Sequence, residues 1–293
     1  MIAVPDHEQR IVAALCGAAA ASQPSDQAGA SNPAQDMLAV AESIAERGAL
    51  DVDDLRQRQL PDASGTALLL RALPFGLATP LDRPRLRRDA YRYASAAGAD
   101  EGTALVCVAA ALVAADLLRF DPVMTAIRVR QSLLEDAPMA LLNRLTILDP
   151  ASGITAAHAE PASETTIAAA DPDSKVASAH PDPPNDITTA GADPGSTATP
   201  AGADPASEIS NADTDPGAAL QAALSVLAWT DCAGVSAVLA RLSDSGPSDV
   251  AALAAALAGA ASGACDVPVN AEFAERAGRV AAALASLAAA AVP

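Results

Sequence analysis

Alanine decides what this chain can fold into. Of its 293 residues 51% are apolar and only 2% aromatic, and alanine dominates the apolar set. Alanine is the strongest helix former. Stripes of Ala, Leu and Val recur at helical spacing, as in Ile11–Ala21 and Ala104–Leu118. No stretch alternates polar and apolar residues as a half-buried strand does. The pattern predicts an all-α fold, whose core comes from close helix approach rather than from large side chains.

Composition divides the chain into three zones. Residues 1–149 carry the helical pattern. From 150 to 216 it collapses into Asp, Pro, Ala, Ser and Thr, with near-repeats AGADPGS (Ala190–Ser196) and AGADPAS (Ala201–Ser207) and neither arginine nor aromatic. Such a segment buries too little apolar surface to offset its chain entropy, which predicts disorder. Helical periodicity returns over 217–293. The two patterned zones are expected to form two parts of one helical domain.

Charge excludes some partners. Thirty-six acidic residues against eighteen basic ones give a net charge of −18, the wrong sign for nucleic acid or an anionic membrane surface. The four cysteines, Cys16, Cys107, Cys232 and Cys265, are widely spaced and form no C-x-x-C pair. They read as buried free thiols rather than as a zinc or redox site. Ile11–Ala21 has the length of a signal-peptide core, but Asp6 and Glu8 precede it with only Arg10. It reads as the first core helix of a cytoplasmic protein. No apolar run reaches the length of a membrane span.

Two distant segments share a design. SNPAQDMLAVAESI (Ser31–Ile44) and GPSDVAALAAALAG (Gly246–Gly259) each open with a polar, turn-forming tetrapeptide and run into a helical pattern. Small polar groups thus sit where a helix has unsatisfied N–H groups. RIVAALCG (Arg10–Gly17), ESIAERGALDVDDL (Glu42–Leu55) and SGTALLLRALPFGL (Ser64–Leu77) follow in an ordered series. Gly48 reads as a helix C-terminal residue and Asp51 or Asp53 as the next N-cap. In this order and spacing the segments resemble the ADP-ribosylglycohydrolase family, of the dinitrogenase reductase-activating glycohydrolase type. The resemblance covers about three quarters of the chain and implies an orthogonal all-α bundle.

It also implies a metal site that has decayed. The family motifs T-D-D-T and G-D-T-D-T supply oxygen ligands to two magnesium ions, which orient the ribose and activate water. Here Ser31 stands for the threonine, Asn32 and Pro33 for two aspartates, Gly246 and Ser248 for the second pair, and Asp249 for the closing threonine. Four carboxylate positions hold none, so no cofactor is expected. The family's T-H-x-D-P turn reads SAAGADEG (Ser95–Gly102), without its histidine. His158 and His180 fall in the acidic zone, and His7 lies near position 1, so no histidine is placed for acid–base work.

Three functional readings follow. The leading one is a catalytically degenerate ADP-ribosylglycohydrolase that binds ADP-ribose or an ADP-ribosylated ligand, or acts as a scaffold. The second is a divergent hydrolase with one residual metal held by Asp36 and Asp249, aided by Asp100 or Glu101. The third is a purely structural Ala-rich helical protein. Arg71 is the substrate-binding candidate, against pairing with a nearby carboxylate. Trp229 reads as a core anchor, and Arg83, Arg85, Arg87 and Arg88 as a solvated helix start.

Overall fold

The structure is a computed structural model that describes residues 6–22, 32–60, 63, 65–145, 215–230, 233–243 and 249–291. These residues form twelve α-helices and no strand. The helices are α1 (His7–Ala21), α2 (Pro33–Arg47), α3 (Val52–Gln57), α4 (Gly65–Ala78), α5 (Arg83–Ala96) and α6 (Glu101–Leu117). After them come α7 (Pro122–Leu133), α8 (Met139–Arg144), α9 (Pro216–Trp229), α10 (Val235–Leu242), α11 (Asp249–Ser262) and α12 (Ala271–Ala290). The protein is all-α. Apart from Asp215 and Pro216, which start α9, the predicted disorder over 150–216 concerns positions outside the described residues.

An Asp or Asn side chain caps eight of these helices: Asp6, Asn32, Asp51, Asp82, Asp100, Asp121, Asp215 and Asn270 each accept from backbone N–H groups of the first turn. Six of the eight are aspartates, so part of the chain's acidity is helix punctuation. Gly48 ends α2 with φ of 71°, as a helix-terminating glycine should.

Helices from both sides of the acidic zone belong to one compact unit. Its tightest seam joins α1 to α11. A Cβ added to Gly17 would lie 2.3 Å from the Ala255 carbonyl oxygen, and one added to Gly259 would lie 2.1 Å from that of Ala13. The contacts run 13 to 259 and 17 to 255, so the helices are antiparallel. They touch backbone to backbone, which only glycine permits. Gly76 does the same for α4 on α6, 2.0 Å from the Ala111 oxygen. Small residues therefore build this core as the alanine content predicts.

Arg10 locks the seam's end. Its Nη1 donates to the carbonyl oxygens of Leu117, Ala260 and Ala261 at 3.2, 3.0 and 2.5 Å. One guanidinium thus serves the C-terminal ends of both α6 and α11, where unpaired carbonyls and the helix dipole favour a cation. His7 Nε2 makes a similar contact with the Leu77 oxygen at the end of α4, 3.0 Å away. Trp229 departs from expectation: it is 55% exposed at the last position of α9, with Arg241 6.0 Å from its ring centre. The core nearby is filled by Leu220, Leu224 and Leu227 instead, so the indole is left outside.

Candidate functional site: a buried arginine at a helix start

The first polar segment folds into a capped helix. Asn32 Oδ1 accepts from the N–H groups of Ala34 and Gln35, and Pro33 occupies the first helical position, where its missing N–H costs nothing. Asn32 and Pro33 thus serve helix initiation. Asp36 lies one turn on, buried, with its carboxylate 2.6 Å from Nη2 of Arg71 on α4. Arg71 is the only charged residue of α4 and is 3% exposed.

Tyr93 of α5 completes the cluster. Its ring packs on Phe75 with centroids 5.4 Å apart. Burial pushes the phenol pKa far up, and the charge and hydrogen bonding of Arg71 act against that push. Three helices are therefore tied together at one guanidinium. Removing one partner of a buried ion pair leaves an uncompensated charge, which costs about 3–5 kcal/mol. Of the two readings of Arg71, pairing with a carboxylate is the observed one.

Arg71 and Tyr93 also face a cavity of about 200 Å³. Leu55 and Leu60 supply apolar wall, while Arg56, Ala96 and Ala97 form an open rim. The volume far exceeds the ~10–15 Å³ needed for one water. It falls short of the ~300–1,000 Å³ typical of drug-sized ligand pockets. Sequence reasoning pointed to Arg71 but missed Tyr93 and the cavity, because no spacing links residues of α3, α4 and α5 in one dimension.

The second polar segment is less fully described. Asp249 is the first residue of α11, and α11 touches α1, α4 and α2. Ser31, Gly246 and Ser248 lie outside the described residues. Among the described residues no three His, Cys, Asp or Glu side chains gather where they could hold a metal ion. The first segment does not fit a magnesium ligand set: Asn32 is engaged as a cap, Pro33 has no donor atom, and Asp36 is held by Arg71. Asp100 caps α6 through the Thr103 N–H, which holds its carboxyl below the ordinary value, and Glu101 is exposed in the first turn.

The arginine run corrects a second expectation. Arg83 grips buried Asp116 at 2.5 and 2.6 Å, where Arg128 joins at 3.3 Å while stacking 4.2 Å from the Phe120 ring centre. Arg85 reaches the Gly48 carbonyl, Arg87 pairs with Asp136, and Arg88 with Asp89. Arg83, Arg85 and Arg87 thus brace α5 to α6, to the end of α2 and to the turn after α7, while Arg88 pairs within α5 and stays largely exposed. A further cluster escaped the sequence reading: Asp54 takes Arg47 and Arg58, Arg58 also reaches Glu42 and Glu46, and Arg276 of α12 bonds Glu42 at 2.8 Å.

Two of the four thiols are buried as their sequence context implies. Cys16 and Cys107 are buried, with pKa values pushed up to about 11 and about 12, chiefly by burial. Cys265 is only half-buried and shares with Cys16 a groove of about 510 Å³. Cys232 lies outside the described residues. Among the described residues no helix is long and apolar enough to cross a membrane. No family model matches the chain, and no similar protein was found among curated sequences or solved structures.

Proposed function

We propose that the chain is a non-hydrolytic protein of the ADP-ribosylglycohydrolase type, which binds its ligand without metal-dependent chemistry. One observation carries the reading. Asp36, the carboxylate nearest the first motif, is drawn into a buried pair with Arg71 and serves packing. The positions around it support the same view. Asn32 caps a helix and Pro33 offers no oxygen, whereas Mg²⁺ demands anionic oxygen ligands in near-octahedral array. An arginine beside a cavity suits binding better than it suits activating water.

The test is direct. Purified protein with Mg²⁺ is incubated with ADP-ribosylated arginine, ADP-ribosylated serine and ADP-ribosylated DNA, and free ADP-ribose is measured. None is expected above the no-protein control. Metal-dependent release that a chelator abolishes would overturn the reading. It would restore the divergent hydrolase, with Asp36 and Asp249 as the residues to substitute next. The proposed ligand, ADP-ribose or an ADP-ribosylated group, is checked by calorimetric titration with and without metal.

A further inference from the structure

We propose that the outward face of α7, continued by Met139 at the start of α8, docks an amphipathic helix of another protein whose apolar stripe is flanked by carboxylates. The surface lies on other helices than the Arg71 cluster and does not depend on the reading above.

The stripe follows from the helical period. Thr125, Ala126, Val129 and Leu133 are on the buried face of α7, which packs on α6 and α9. Met124, Ile127 and Leu134, spaced three and then seven positions apart, fall on the opposite face, with Gln131 between the last two. They are 44%, 45% and 57% exposed, and Met139 is 62% exposed. Seven large apolar side chains are exposed among the described residues, and these four sit within sixteen positions. Single exposed apolar residues are ordinary, whereas a cluster marks a surface for another molecule. Two of the four are methionines, whose flexible thioethers adapt to a partner's shape.

Charge names the partner. α7 carries Arg128 and Arg130 and no acidic residue. Helical spacing places one arginine on each side of the stripe. Arg130 is exposed and makes no ion pair among the described residues. Arg128 shares Asp116 with Arg83, so one carboxylate answers two guanidinium groups and a positive charge is left over. The next carboxylate along the chain, Glu135, comes only past the end of the helix.

A second copy of the chain suits this face poorly. Two-fold pairing of α7 with itself, parallel or antiparallel, sets arginine against arginine along both edges, and like charges there weaken a helix pair. Carboxylates at the edge positions of a foreign helix reverse the sign. Salt screens the acidic remainder of the chain beyond about 8 Å, so the edges decide. An anionic membrane extends past that length and meets the whole chain of net charge −18, whereas a single helix meets only the edges.

The experiment uses the full chain and two helical peptides that share one leucine stripe, flanked by glutamates in one and by lysines in the other. Calorimetric titration should find the glutamate peptide bound about tenfold more tightly, with an affinity that falls as salt is raised. Ile127→Asp should abolish binding, and Arg130→Glu should reverse the preference in favour of the lysine peptide. Both positions are exposed, and circular dichroism checks that both variants stay folded. Met124→Gln, a milder change, should weaken binding several-fold and serves if Ile127→Asp unfolds. Equal binding of the two peptides, binding unaltered by Ile127→Asp, or no binding at about 1 mM peptide would each overturn the proposal. So would a dimer of the chain, or its sedimentation with phosphatidylserine vesicles, that Ile127→Asp abolishes, since the face would then belong to a second copy or to lipid.

Discussion

The seam between α1 and α11 and the corner where α2, α4 and α5 meet solve the same problem by opposite means. At the seam, alanines and two glycines remove side-chain volume until carbonyl oxygens touch the neighbouring backbone. At the corner, a large charged side chain is buried and then neutralised by Asp36. The middle of the seam is intolerant of volume and carries no ion pair among the described residues. The corner is intolerant of unbalanced charge, and its adjoining cavity leaves it slack in volume. An alanine-rich chain needs both devices. Close approach gains dispersion contacts but specifies little, whereas a buried ion pair stabilises little and admits only one arrangement of its helices.

The largest effect should come from unbalancing the corner. Arg71→Met leaves Asp36 buried and unpaired, and urea unfolding should show a loss of about 3–5 kcal/mol. The paired variant Asp36→Leu with Arg71→Met removes both charges and should recover most of that loss. If the double variant is as unstable as the single one, the corner is held by something other than charge balance.

Volume is the next test. Gly259→Ala and Gly76→Ala raise helix propensity by about 1 kcal/mol each. Each also sets a methyl within 2.1 Å of a backbone oxygen. Overpacking should win, with net losses of about 1–3 kcal/mol in the same titration. A gain in stability at either position would mean that the helices separate at little cost, and the contrast with the corner would disappear.

A third measurement concerns charge outside the corner. The Ser43 hydroxyl, then Arg58 and Arg47, hold the Asp54 carboxyl well below the ordinary carboxylate range. A depressed pKa contributes stability that is fully present above the unfolded value near 4 and lost as pH falls through the folded value. The stability gap between wild type and Asp54→Asn should therefore be constant from pH 7 to 5 and should close in acid. A gap that widens below pH 4 would contradict this.

The smallest effect is expected at Trp229. It is more than half exposed, with Arg241 6.0 Å from its ring centre. Trp229→Ala should cost less than about 1 kcal/mol, and wild-type fluorescence should be that of a water-exposed indole.

What could be read from one dimension follows the same division. Alanine stripes foretell helices and a small-residue core, and Gly48 and Asp51 mark a helix end and the next start because capping is local. The pairing of Arg71 with Asp36 spans 35 positions and that of Arg276 with Glu42 spans 234. Sequence spacing carries no information about such distances. Trp229 reads as a core anchor from sequence, but the Ala, Leu and Val residues of α9 fill its inward face. Arg71 is legible as the partner of a nearby carboxylate, whereas Asp36 reads from sequence as a residual metal ligand. Only the packing of α2 on α4 shows that they answer each other.

Arg10 has a consequence for the time course of synthesis. Its acceptors on α11 lie 250 and 251 positions further along the chain. At ~5–20 residues per second, α1 leaves the ribosome on the order of 10–50 s before α11 exists. Through that interval the face containing Ala13 and Gly17 has no permanent cover, and the two carbonyls of α11 that will receive Arg10 have not been made. The first helix thus cannot be fully seated until α11 exists. Folding of this unit completes only after its C-terminal third has emerged, and the long loop closure slows a chain whose helices would individually form fast.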